Sequence, residues 1–428
     1  MKKILKMIVS NILVVLAHAV VLRYRPNIVM VSGSVGKTST KDAVAEVLAT
    51  RFFVRKSDKS FNSEFGVPFT IFGVPNPWGN PLAWLSLMKN ALALLLLPNH
   101  YPNMLVLEVG SGKPGDMAQI LRIATPDAVV ITRLPEIPVH VEAYSSPDAV
   151  REEEFSPALA LHSGAPLIIS ADYSYAFDRA VRVSTRIISY GMAEDASVLI
   201  VGANFYEEEG KVVGMRANVK TGTEEGNLVV KGSVGTTQLL PVAAALAAAS
   251  AFNIPFVEAV KALENYEPPP GRGRLLRGKN GSTIIDDSYN SSPVAVEEAL
   301  ATLKSFPIRP PAGGRRIAVL GDMLELGRYS VMEHERVGAL AMESADLVVA
   351  VGIRSRVFAS VAGGAEVILF DNSQSAVKAL PKMIKEGDVI LVKGSQSIRT
   401  ERIVEALLAN PSDSVKLVRQ EPEWKRRP

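Results

Sequence analysis

The 428 residues, 47% of them apolar and none of them cysteine, can build more than one buried core and exclude disulfides, thiolate metal sites and a cysteine nucleophile. Lysine plus arginine (47) nearly balances aspartate plus glutamate (44), and a formal charge of +3 gives no field that would select nucleic acid. A globular cytoplasmic protein without a nucleic-acid partner is expected.

Met7 to Leu22 is almost continuously apolar and is flanked by Lys2, Lys3, Lys6, Arg23 and Arg25. A cleaved secretory signal is disfavoured, because the chain runs straight on into a strand. A spanning helix needs roughly 20 apolar residues, and Ser10, Asn11 and His18 interrupt this stretch. On a helical wheel Lys2, Lys3, Lys6, Ser10, Asn11 and His18 share one half. That favours a helix over residues 1–25 lying at a membrane surface with its basic face toward anionic lipid. A helix packed on the protein's own surface is the alternative.

The segment "NIVMVSGSVGKTSTKDAVAEVL" then sets a strand, a glycine loop and a helix opening on Lys37 and Thr38. Gly33 and Gly36 let the backbone curl so that successive N–H groups meet phosphate, and the helix amino terminus adds a favourable dipole. Lys37 is placed to neutralise β and γ phosphates, and the Thr38 hydroxyl to sit on Mg²⁺. The strict phosphate-loop pattern fails at Val31, where it requires glycine. A glycine turn with an ordinary surface lysine is the bland reading.

Further apolar runs at Met104 to Val109, Ala128 to Thr132 and Pro166 to Ser170 alternate with helical stretches, the mark of a parallel sheet with crossover helices. Within "NPLAWLSLMKNALALLLLPNHYPN", Ala91 to Pro98 is apolar or proline throughout and reads as a buried helix or as a second membrane-facing surface. From Val198 to Val234 the pattern changes to alternation with Gly- and Glu-rich turns, which predicts an antiparallel patch. Pro268 to Pro270, with Gly271 and Gly273, breaks helix and sheet alike. A second alternating series follows, with strands at Ser282 to Asp286, Arg316 to Leu320, Leu347 to Val351, Glu366 to Phe370 and Val389 to Val392. The expectation is an α/β protein in three parts: a membrane-seeking helix (1–25), a phosphate-loop domain (26–267) and a Rossmann-like domain (268–428).

In order along the chain, "GSVGKTSTK", "FNSEFGVP", "LEVGSGKPGDM", "PGRGR", "IIDDSYNSSP", "AVLGDMLELG" and "LVKGSQSIRTE" resemble the Mur ligase family, and within it the branch that adds D-Ala-D-Ala to a muramoyl-tripeptide. The resemblance runs from about residue 27 to about residue 410. It implies an ATP- and Mg²⁺-dependent ligase in which a substrate carboxylate takes the γ-phosphate and the acyl phosphate is then attacked by an amine, in peptidoglycan synthesis. Charge is the obstacle to that attack, so cations between the two anions supply much of the rate.

By the same resemblance Gly33, Ser34, Val35, Gly36, Lys37, Thr38 and Ser39 cradle the phosphates. Thr38, Glu108, His140 and Glu154 hold metal, although "TRLPEIPVHVE" has Arg133 and a longer spacer before its histidine than the family shows. At "SPDAVREEEFSPAL" the family places a carbamylated lysine. Glu154 stands there in this chain, either supplying the same negative charge or, with Glu152 and Glu153, forming a merely solvated helix face. Arg272, Asp287 and Asn290 are implied for the nucleotide, beside Arg274, Asp286 and Tyr289. Asn62, Ser63 and Arg399 are implied for substrate, and Lys393 for its phosphate or carboxylate. Thr237, Gln238 and Pro241 replace a His and two Asn of the family pattern. Only about 26 residues precede the first strand, so the family's uridine-binding domain is expected to be lacking. A related ligase for another carboxylate, such as a polyglutamate or storage peptide, and a membrane-associated nucleotide-binding scaffold are the rival readings.

Overall fold

A computed structural model describes residues 2–181, 183, 185–308, 313–361 and 363–427; the side chains of residues 2–5, Lys2 and Lys3 among them, lie outside what is described. The chain divides into two compact units, one of residues 1–202, 217–228 and 240–266, the other of residues 203–216, 229–239 and 267–428.

The first unit opens with α1 (Lys2–Tyr24), β1 (Asn27–Ser32), α2 (Lys37–Leu48), β2 (Val54–Lys56), α3 (Gly66–Phe72) and α4 (Pro81–Leu96). It continues through β3 (Met104–Glu108), α5 (Asp116–Leu121), β4 (Ala128–Ile131), α6 (Pro147–Leu159), β5 (Pro166–Ser170), α7 (Ser174–Ala180) and β6 (Arg186–Gly191). Three long strands follow whose residues are divided between the two units, β7 (Val198–Glu208), β8 (Lys211–Thr221) and β9 (Glu224–Lys231), then α8 (Leu240–Ala251) and α9 (Phe256–Leu263) of the first unit. The sheet order is β2-β3-β1-β4-β5-β6-β7-β8-β9, with every pair from β2 to β6 parallel; the inner strands β1, β3, β4 and β5 are the continuous apolar runs that a sheet covered on both faces requires. β7 to β9 are joined by two-residue turns, which only antiparallel strands can use. The first turn, Glu209 and Gly210, has positive φ at both positions and so matches strand twist.

Crossing from β3 to β4 carries the chain past β1, so the carboxyl ends of β3, β1 and β4 lie side by side where connections diverge, the place where open α/β sheets bind ligands. A single apolar core fills one side of this sheet and includes Leu13, Val14, Ala17 and Val20 of α1 together with Leu87, Ala91 and Leu94 of α4. α1 is long and apolar enough to cross a membrane by length and composition alone, yet this packing makes one of its faces part of the domain. Its polar residues do not all turn outward. Ser10 is buried, whereas Met7, Ile8, Ile12, Val15 and Leu22 are exposed. A helix that is apolar on two sides does not reveal by its pattern which side the core takes; here the α3 and α4 surfaces decide.

The second unit contains β10 (Arg274–Arg277), β11 (Thr283–Asp287), α10 (Pro293–Ser305), β12 (Arg316–Gly321), α11 (Ser330–Ser344), β13 (Leu347–Val351), β14 (Glu366–Phe370), α12 (Ser373–Ala379), β15 (Val389–Lys393), α13 (Glu401–Leu407) and α14 (Pro422–Lys425). Its sheet runs β10-β11-β15-β12-β13-β14, parallel except for the antiparallel edge strand β10. The α/β expectation, with an antiparallel patch and an apolar amino-terminal helix, holds.

Candidate active site

β1 ends at Ser32 and α2 begins at Lys37, so four residues turn the chain through the phosphate loop. Gly33 has φ +124°, and a Cβ there would stand 2.3 Å from Thr132 Oγ1, so no other residue fits. Gly36, at φ +90°, caps α2 in a left-handed conformation. Ser34 N–H donates to the Arg133 carbonyl at 2.9 Å, which pins the loop to the end of β4. Lys37 Nζ folds back to donate to the Gly33 carbonyl. The first turn of α2 carries no acidic residue to oppose its dipole.

Glu108 closes β3 beside this loop and is buried to 2% exposure. Asn62 Nδ2 donates to its Oε1 at 3.3 Å, and Asn62 O accepts from Gly110 N–H at 2.9 Å. A Cβ on Gly110 would meet Lys37 Cε at 3.3 Å and Asn62 Nδ2 at 3.4 Å. Lys37, Asn62 and Glu108 therefore converge. The other Glu108 oxygen, Oε2, is buried and has no hydrogen-bond partner among the described residues. A buried carboxylate oxygen left in that state calls for a cation, so the residues present fit a divalent ion. Thr38, the second implied ligand, has its hydroxyl 2.7 Å from Ser60 Oγ. The Ser34 hydroxyl is likewise buried without a hydrogen-bond partner among the described residues.

Glu154 does not face outward as part of a solvated helix surface. Its Oε2 accepts from Ser32 Oγ at 3.1 Å and from Gly33 N–H at 3.2 Å, and its Oε1 accepts from Ser111 N–H at 3.2 Å. The carboxylate thus lies under the phosphate loop, joining it to the loop after β3. Among the described residues no three His, Asp or Glu side chains gather as a metal cage, so Glu108, His140 and Glu154 are not assembled into the set that the resemblance implies. Two backbone donors and a hydroxyl hold Glu154 where it is. His140, at φ +66°, starts a 3₁₀ turn over Val141–Ala143. Ser63 is also occupied by structure: its hydroxyl accepts from the Phe65 and Gly66 amides at the start of α3.

In the second unit Lys393 ends β15 and donates to Asp287 Oδ2 at 2.6 Å and to the Asn290 carbonyl at 3.0 Å, which brings three of the expected residues together. The Arg272 guanidinium lies 4.0 Å from the centre of the Tyr289 ring. Arg399 goes elsewhere. It is buried, donates to Glu401 Oε1 at 2.6 Å, and shares that carboxylate with Arg419, whose Nη1 donates to Oε2 at 2.9 Å. Burial pulls the Arg419 guanidinium below its usual range, against the pull of Glu401.

Asp286 is fully buried. Its Oδ1 accepts from Ser288 N–H and Oγ while Oδ2 has no hydrogen-bond partner among the described residues, and burial raises its pKa to about 6. A folded pKa above the unfolded value means stability is full below pH ~4 and is lost as pH rises through 6. Urea midpoints should show about 2 to 3 kcal/mol lost across that window in the native chain, and a flattened profile in Asp286→Asn, which stays neutral.

Ser60, Gly110 and Ser111 belong to the site as well, the last two inside "LEVGSGKPGDM", and none of them carries a charge that marks it in the sequence. A glycine two residues after a strand-ending acid is the signal that the sequence offers.

Residues 31–249 match the Mur ligase middle domain and residues 271–396 the Mur ligase glutamate ligase domain. UDP-N-acetylmuramoyl-tripeptide--D-alanyl-D-alanine ligase of Bacillus subtilis (strain 168) is 28% identical over 403 residues, covering 92% of this chain and 79% of that one. The enzyme of the same name from Escherichia coli (strain K12) is 27% identical over 393 residues, covering 90% and 77%. Among solved structures, the MurF ligase from Thermotoga maritima in complex with ADP superposes with a TM-score of 0.76 at 25% identity, covering 93% of this chain and 83% of that one. With both domains matched and the phosphate loop and Glu108 side by side, the chain belongs to the Mur ligase family of ATP-dependent amide-forming ligases.

Proposed function

We propose that this protein joins D-Ala-D-Ala to the free carboxyl group of a muramoyl-tripeptide precursor in peptidoglycan synthesis, with ATP as phosphoryl donor. The observation that carries the reading is the convergence of Lys37, Asn62 and a half-satisfied Glu108 at the ends of β1 and β3. The phosphate loop, Gly33 to Ser39, binds the triphosphate. Lys37 brings positive charge to the terminal phosphates as the substrate carboxylate oxygen bonds to the γ-phosphorus and ADP departs. The amine nitrogen then bonds to the acyl carbon, inorganic phosphate leaves with the bonding electron pair, and the amine gives up a proton. Thr38 and Glu108 are the residues that would hold Mg²⁺, whose charge offsets that of the phosphates. His140 is assigned to a second ion. Asn62 is assigned to the acyl substrate, Arg272, Asp287 and Asn290 to the nucleotide, and Lys393 to the substrate's anionic group; Ser63 and Arg399, implied for substrate by the resemblance, we assign to holding α3 and Glu401 instead.

Glu154 we assign to the loop itself rather than to metal, because its oxygens already meet Ser32, Gly33 and Ser111. The reaction belongs in the cytoplasm, and residues 1–25 are proposed to bring the enzyme to the inner membrane surface. Phosphate release that requires both a muramoyl-tripeptide and D-Ala-D-Ala is the expected result in a purified sample. Release supported by glutamate or another amine instead would move the chain to a different substrate class, and ATP binding without amine-dependent turnover would leave a nucleotide-binding scaffold.

A further inference from the structure

α1 and α4 each present two apolar sides, of which the domain uses one. On α4, Leu87, Ala91 and Leu94 enter the core, while Leu82, Leu85, Leu92 and Leu96 stand exposed at 76%, 68%, 45% and 73%. Leu82, Leu85, Lys89, Leu92 and Leu96 follow one another at steps of three or four residues, so the four leucines form a single stripe along the helix with Lys89 at its middle. On α1 the exposed stripe is Met7, Ile8, Ile12, Val15 and Leu22. The carboxyl ends of the two helices are tied together: Tyr24 Oη donates to the Leu94 carbonyl at 2.8 Å, and the Arg23 guanidinium donates to the carbonyls of Leu95 and Leu97. Both helices give their inner faces to one core, so both stripes lie on the side away from it. Isolated exposed leucines need no explanation, but two neighbouring stripes make a patch that does.

We infer that α1 and α4 together form one docking surface for an anionic lipid bilayer, with the leucine stripe of α4 as its second half. The inference extends the reading of residues 1–25 given above. Charge selects the occupant. No aspartate or glutamate occurs between Met1 and Lys41 or between Phe65 and Leu107, whereas Lys6, Arg23, Arg25 and Lys89 are exposed on or beside the two helices. Lys6 has Glu64 beside it at 3.9 Å, but a second copy placed face to face would still bring Arg23, Arg25 and Lys89 together with no acid on either helix to offset them, while an anionic headgroup layer pairs with them as the apolar side chains enter the acyl boundary. α4, at 16 residues and capped by Asn80, lies on the surface rather than crossing it.

The full chain is tested by co-sedimentation with vesicles of phosphatidylcholine alone or mixed with phosphatidylglycerol. Native protein should sediment with the mixed vesicles. Leu82→Gln/Leu85→Gln/Leu92→Gln/Leu96→Gln should reduce the bound fraction about tenfold, and Lys89→Glu should weaken binding to mixed vesicles alone. All these side chains are exposed, so the unfolding midpoints of the variants should match that of the native protein. Unchanged sedimentation of the leucine variant overturns the inference; if Met7→Gln/Ile8→Gln/Ile12→Gln/Val15→Gln then loses binding, the role of residues 1–25 survives without α4. A dimer in the absence of vesicles that the leucine variant dissociates also overturns it. Amide formation on soluble substrates is measured separately, and its failure counts against the proposed reaction, not against the lipid surface.

Discussion

Lys37→Ala should leave amide formation at about one thousandth of the native rate or less, with the fold unaffected. Removing a single preorganised charge from an electrostatically driven step typically costs 10² to 10³, and phosphoryl transfer, which depends on positioning and charge alone, lies toward the upper end of about that range. Lys41, one turn on, cannot take its place: it is fully buried and donates to the Ser57 carbonyl at 2.6 Å. Lys37→Arg keeps the charge but not the compact ammonium that bends back to Gly33, so it should recover only part of the loss. Lys37 opens α2 in a half-buried position outside the core, and the unfolding midpoint of the Ala variant should move by less than about 0.5 kcal/mol. Rapid-quench measurement of ADP and product separates the steps. A variant that still joins its two substrates at the native rate removes the phosphate-loop reading altogether.

Some of this was legible because the signal is local. β1, β3, β4 and β5 are unbroken apolar runs ended by polar or glycine turns, and the phosphate loop is fixed by glycines whose backbone no other residue adopts. β2, β6 and β10 carry no such signal: "VRK" has one apolar residue, "RIISYG" is cut by a serine, and "RLLR" offers two apolar residues between arginines. β10 is an antiparallel edge strand that gains its place from pairing with β11. Among the site residues, Glu108 could be anticipated because it ends a strand. Glu154, Ser63 and Arg399 could not be placed, because the sequence shows a side chain's charge but not which backbone amide or carboxylate the tertiary fold brings within 3.3 Å of it. The same limit applies to α1, where burial of Ser10 follows from the shape of the α3 and α4 surfaces and from nothing in residues 1–25.

Glu154→Ala separates two chemistries that predict opposite responses to metal. If the carboxylate braces the loop, its removal strands the Gly33 and Ser111 amides in a buried space and opens a cavity beneath them. Each unsatisfied buried donor costs about 1 to 3 kcal/mol, and with the cavity the first unit should lose about 3 to 5 kcal/mol in urea unfolding. Misplacement of the phosphate loop by even about 1 Å should lower kcat/KM some hundredfold, with KM for ATP rising. The Mg²⁺ concentration for half-maximal rate should not move, and hydrogen exchange at Gly33 and Ser111 should quicken. Glu154→Gln keeps an acceptor for one of the two amides but turns an NH₂ toward the other, so it should fall between native and Ala. Were Glu154 a metal arm, the Ala variant would keep its unfolding midpoint and recover its rate at high Mg²⁺. That pattern would return the residue to the metal and leave the loop to be held by Arg133, Thr132 and Lys37.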